Sequence, residues 1–125
     1  MSKTVLSIGQ CRPDHAAISH FLTSNFDVKV IDAALPDDAS AALQQYSVDL
    51  VLINRKLDAD YSDGMIILRT IKSDTATAEI PVMLVSNFPE WQEKAIHQGA
   101  VPGFGKAQLN SAETVERIRS ILNLP

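Results

Sequence analysis

Apolar residues along the chain fall into short unbroken runs, separated by longer stretches in which they return every three or four positions. The runs TVLSI (Thr4 to Ile8), VKVI (Val28 to Ile31), DLVLIN (Asp49 to Asn54) and PVMLVS (Pro81 to Ser86) lack the alternation of a half-exposed strand, and predict strands covered on both faces. Each is followed by helix-like sequence. A proline suits a first helical turn, so the first helix is expected to start at Pro13 and to bury Ile18, Phe21 and Leu22. The next begins near Pro36 and runs through Ala42 and Leu43. Asp63-Gly64 opens a third, with Ile67, Leu68 and Ile71 on one face. A fourth extends from about Pro89 to Gly99, with Trp91 and Ala95 sharing a face and Gly99 placed to end it. In the last, Asn110 reads as N-cap with Glu113 three residues on, and Val115, Ile118 and Leu122 face inward. A weak fifth strand is expected near Val101 to Gly105.

Parallel neighbours need crossover connections, so regular alternation of strand and helix predicts an α/β fold: a five-stranded parallel sheet with helices on both faces, a flavodoxin-like three-layer sandwich. At 125 residues the chain fits a single domain spanning residues 1–125, with no internal repeat or linker. In such sheets ligands gather beyond the carboxyl ends of the strands, where strand order reverses. The residues to watch are therefore Gly9 and Gln10, Asn54 and Arg55, Ser86 and Asn87, and Lys106.

Composition narrows the setting. Hydrophobic residues at 46% and charged residues at 21% are ordinary for a soluble protein, and no apolar run approaches the ~20 residues that span a bilayer. The Val5 to Ile8 run is too short for a signal peptide, so a cytoplasmic address without membrane attachment is expected. A single cysteine, Cys11, excludes an internal disulfide and reads as an inert thiol. A net charge of -4 offers no basic field for nucleic acid. His15, His20 and His97 lack zinc-site spacing, and no phosphate-binding glycine loop or nucleophilic triad stands out.

With this order of elements, the blocks VDLVLIN...LD...DGMIILRTIK, IPVMLVS and HQGAVPGFGK make the chain similar, over nearly its whole length, to the receiver domains of bacterial two-component response regulators. The resemblance implies a phosphoacceptor aspartate at the end of the third strand, an acidic metal-binding pair after the first, a Ser or Thr after the fourth and a Lys after the fifth. Here those places fall on Asn54, on Gly9 and Gln10, on Ser86 and on Lys106, so the pocket reads as degenerate. The family's switch aromatic aligns with Gly103, its proline after the Lys with Ala107, and the loop from Asp58 to Gly64 is longer than usual.

Phosphoryl transfer from phosphohistidine needs a carboxylate nucleophile and a divalent cation. Asn54 has an uncharged amide, and Gly9 and Gln10 remove the charge that would hold magnesium, so no acyl phosphate, metal or other cofactor is expected. Asp58 and Asp60 lack the fixed geometry to act as displaced acceptors. Asp14, Asp58, Asp60 and Asp63 are the acids available to offset Lys106, Arg55 and Lys56. Two readings of the pocket follow. Arg55, Ser86 and Lys106 converge on a phosphate-like anion, or Lys106 and Asn54 hydrogen-bond to each other and close a disused site.

The implied function is that of an atypical receiver acting in signal transduction by phosphorylation-independent protein–protein interaction. Its partner would be a histidine kinase, an output protein or another regulator, since no output module follows the last helix. Phe88, Trp91 and Phe104 are the candidate partner face, with packing on the sheet the alternative for Trp91; self-association through that face is compatible with this reading. The alternatives are a phosphoacceptor receiver with an altered site, and a flavodoxin-like binder of small ligands or anions. No catalytic signature supports an enzyme.

Overall fold

The computed structural model describes residues 2–124. In chain order the elements are β1 (Lys3–Ile8), α1 (Arg12–Asn25), β2 (Val28–Ala33), α2 (Pro36–Gln45), β3 (Leu50–Asn54), α3 (Gly64–Ser73), β4 (Val82–Val85), α4 (Pro89–His97), β5 (Val101–Phe104) and α5 (Ala112–Leu122), with a 3₁₀ turn at Lys106–Gln108. The strands form one parallel sheet in the order β2-β1-β3-β4-β5. Winding therefore reverses between β1 and β3, and the crevice beyond their carboxyl ends is bounded by Gly9 and Asn54. No helix among the described residues is long and apolar enough to cross a membrane.

The two-residue period of a strand divides each apolar run between the faces. Leu6, Ile8, Val51, Ile53, Val82 and Leu84 meet α2, α3 and α4 on one side. Val5, Leu50, Leu52, Met83 and Val85 meet Ile18, Phe21 and Leu22 of α1 and Ile118 and Leu122 of α5 on the other. The runs lacked polar alternation because both sets of positions are covered.

Three expectations need correction. The N-cap of α5 is Ser111, whose hydroxyl accepts from the Thr114 N–H at 3.1 Å, while Asn110 sits in the left-handed region at φ 74°. Asparagine suits both places, so residue type alone did not separate them. Inside that helix Thr114 is buried, and Val115 is only half-buried. Phe104 does not belong to a partner face: it is 1% exposed and packs in the core beneath α1 and α5, because its place in β5 points it there.

The β4–β5 edge shows why Gly103 is not an aromatic. Register shifts between Met83 and Val85, and a Cβ on Gly103 would lie 2.2 Å from the Leu84 carbonyl oxygen. The glycine permits close backbone approach and is not there to loosen the strand. Gln92 of α4 stitches the irregular edge, donating to the carbonyls of Leu84 (2.9 Å) and Ser86 (3.1 Å) and accepting from the Gly103 N–H (3.1 Å). Gly103→Ala is expected to lower unfolding free energy by about 1–3 kcal/mol through overpacking, measured by urea denaturation.

Candidate functional site at the strand exits

Beyond β1 the chain turns at Gly9, whose φ of 77° suits glycine. Its N–H donates to the Ala33 carbonyl at 2.8 Å, tying β1 to β2. Its carbonyl accepts twice, from Asn54 Nδ2 at 3.1 Å and from the Asp58 N–H at 2.9 Å. Asn54 thus caps the exit of β3 by bonding across to the exit of β1. Both partners are neutral.

The space beside Gly9 is filled. A Cβ there would lie 2.4 Å from Leu57 Cγ, and Leu57 is fully buried. The long loop after β3 holds Leu57 in place by closing on itself. The Leu57 N–H donates to the Ser62 carbonyl (2.9 Å), the Tyr61 N–H to the Leu57 carbonyl (2.8 Å) and the Gly64 N–H to the Arg55 carbonyl (2.8 Å). Asp63 then caps α3 by accepting from the Met65 N–H at 2.9 Å. Asp58 and Asp60 are exposed, and Asp60 accepts from the Ser62 N–H at 2.9 Å. Hydrogen bonds from the Ser62 side chain and backbone hold the Asp60 carboxyl below its ordinary range.

Lys106 lies in the 3₁₀ turn after β5 and pairs with Asp14 in the first turn of α1, Nζ to Oδ2 at 2.5 Å. The Asp14 carboxyl is held below its ordinary range by the Lys106 hydrogen bond first and then by one from Cys11. The expected Lys106–Asn54 bond is therefore not formed, since Asn54 is engaged by Gly9 and Lys106 by Asp14. Gln10 is buried, and neither atom of its amide finds a partner. Ser86 Oγ accepts from the Phe88 N–H at 3.2 Å.

A cleft of about 490 Å³ opens between β3 and α4, with Arg55, Lys56 and Lys106 in its wall and no carboxylate among its lining residues. Ser86 and Lys106 line this cleft together with Arg55. The Arg55 guanidinium carbon lies 3.8 Å from the Trp91 ring centroid, and Lys94 Nζ lies 4.3 Å from the same centroid. Stacking on indole offsets the desolvation of these cations and fixes the Arg55 side chain against α4. Trp91 is half-buried and packs on the core, so Phe88, at 60% exposure, is the free aromatic of the expected partner face.

A divalent cation does not fit this arrangement. The positions that would supply its anionic ligands hold Gly9, Gln10 and Asn54, with Leu57 packed against the first. Among the described residues no group of three or more His, Cys, Asp or Glu side chains stands close enough to hold a metal. Sequence reasoning named the crevice residues and counted Asp14 among available acids, but missed Leu57 and Gln92. A lone leucine between polar loop residues was the signal for Leu57; Gln92 had none.

No family model matches the sequence, and no curated protein does. Solved structures do. The signal receiver domain of a DNA-binding response regulator from Colwellia psychrerythraea 34H is 26% identical, with a TM-score of 0.83 over 98% of this chain and 99% of that one. The signal receiver domain of an HD domain-containing protein from Pseudomonas fluorescens Pf-5 is 19% identical, with a TM-score of 0.80 over 98% of this chain and 96% of that one. The chemotaxis response regulator of Vibrio cholerae is 17% identical, with a TM-score of 0.75 over 98% and 99%. The fold is that of response-regulator receiver domains.

A depressed Asp14 carboxyl adds stability above the ordinary Asp value of ~3.9 and loses it as pH falls through the lower folded value. Because the partners are 29% and 41% exposed, the pair is worth less than about 1 kcal/mol. In an NMR titration the Asp14 midpoint is expected below the usual value, and Lys106→Met should return it upward.

Proposed function

We propose that this chain is a receiver-like domain that signals without accepting a phosphoryl group, by docking to another protein of a signalling pathway. The observation that carries this reading is the double occupation of the Gly9 carbonyl by Asn54 and Asp58, with Leu57 packed where an acidic side chain at residue 9 would have to start. A nucleophile is missing at Asn54, metal ligands are missing at Gly9 and Gln10, and the cation Lys106 is paired with Asp14. Each change acts against the same transfer, whereas the folded scaffold is kept.

Absence of an aromatic at Gly103, and of room for one, supports a surface held in one state. The partner face begins at Phe88, the exposed aromatic at the start of α4, beside the Arg55–Trp91–Lys94 stack. Its partner would be a histidine kinase, an output protein or another regulator. An ordinary phosphoacceptor with one altered residue is the weaker reading, because restoring the acid at Asn54 leaves Gly9, Gln10 and Leu57 as they are.

Acetyl phosphate with magnesium is expected to leave the intact mass of both the wild type and Asn54→Asp unchanged. A magnesium-dependent gain of one phosphoryl group by the wild type would overturn the proposal; a gain by Asn54→Asp alone would show that the rest of the pocket still works. Phe88→Ala should keep the wild-type thermal midpoint and weaken partner binding by tenfold or more, an anchor's share of an interface.

A further inference from the structure

A second concavity lies away from the strand exits, on the face of the sheet that carries α2 and α3. It has a volume of about 670 Å³, and its apolar floor and walls are Pro36, Ala39 and Leu43 of α2 with Ile66, Ile67 and Ile71 of α3. Both helices have 10 residues, which makes the trough about 15 Å long, enough for two to three turns of a third helix. Leu35, Tyr61 and Ile66 are, at 38%, 76% and 56% exposure, large apolar side chains left in water, and each lies in the lining or next to it in sequence. Tyr61 is displayed by a left-handed residue at φ 60° in the closed loop that buries Leu57.

Charge in the lining of this trough has one sign. Asp63 lines one end and Asp74 the other, Asp37 and Asp38 occupy the first turn of α2, and no Lys or Arg is among the lining residues. Arg69 and Lys72 of α3 are outside the lining, and Lys72 Nζ is engaged by the carbonyls of Ala78 (3.0 Å) and Ile80 (2.7 Å). Main-chain groups of the two wall helices are used within those helices, so an extended peptide would find no ladder there. A helix brings its own satisfied backbone.

We propose that the α2–α3 trough docks an amphipathic helix of a partner protein, which lays apolar residues spaced i, i+3/i+4, i+7 along Leu43, Ile66 and Ile71 and sets Lys or Arg against Asp63 and Asp74. This surface is distinct from the Phe88 face and does not depend on whether Asn54 can be phosphorylated. A second copy of the chain is the competing occupant, which the test separates by the oligomeric state.

The test is selection of a phage-displayed library of random 15-residue peptides on the wild-type chain, with excess Ile66→Ser protein as soluble competitor. Enriched peptides are expected to carry apolar residues at helical spacing flanked by Lys or Arg. They should bind the wild type at least tenfold more tightly than Ile66→Ser or Ser40→Arg, weaken when their cations become Glu, and shift the amide resonances of Leu43, Ile66 and Thr70. Both substituted residues are exposed, and circular dichroism checks that the variants fold. The proposal is overturned if no peptide discriminates against the variants, if the enriched peptides are acidic or extended, or if light scattering shows a wild-type dimer that Ile66→Ser abolishes.

Discussion

The main-chain carbonyl of Gly9 joins the exits of the two strands between which the sheet reverses. It stands where the sheet reverses its winding, and it accepts from the Asn54 amide and the Asp58 N–H at once. A carboxylate at residue 54 could not donate to that oxygen while ionised; it would face it as an anion facing a lone pair. The amide is thus more than a missing nucleophile. It makes a neutral bond between the ends of adjacent strands, and the left-handed turn at Gly9 leaves the room that Leu57 occupies. The closed loop from Leu57 to Ser62 follows from burying that leucine.

Three cations around the crevice are engaged within the protein. Lys106 binds Asp14, and Arg55 and Lys94 lie over Trp91. Such contacts are individually modest in water-exposed settings, yet together they restrain these side chains. The result is a rim with basic and aromatic character and little capacity for metal. Elsewhere the α2–α3 face has the opposite sign, with Asp63 and Asp74 at the ends of an apolar trough. The domain thus carries two surfaces of different chemistry, a basic and aromatic rim and an acid-flanked apolar trough.

Much of this was legible before any coordinates. Continuous apolar runs announced strands covered on both faces, and the spacing of Ile67, Leu68 and Ile71 marked the buried side of α3. Asn54, Ser86 and Lys106 were placed correctly at the strand exits because run length shows where a strand stops. What failed depended on orientation or on distant partners. Phe104 looked like a surface aromatic because a short glycine-rich strand has no period to reveal which way it points, and Asn110 looked like a cap because its side chain suits a left-handed turn equally well. Arg55 lies in the crevice wall as expected, and what no local pattern encodes is its stacking on Trp91, which joins the exit of β3 to α4. The Leu57–Gly9 contact is likewise between separate loops, and only the strand order brings them together.

Asking whether the crevice has any hold on a divalent cation is the most direct test of the idea that neutral bonding replaced charge there. In an NMR titration with Mn²⁺, the amide signals of Gly9, Gln10, Asn54 and Asp58 should broaden no more than those of exposed acids elsewhere, such as Asp37 and Glu90. Saturable broadening confined to Gly9, Gln10, Asn54 and Asp58 at low Mn²⁺ would contradict the account.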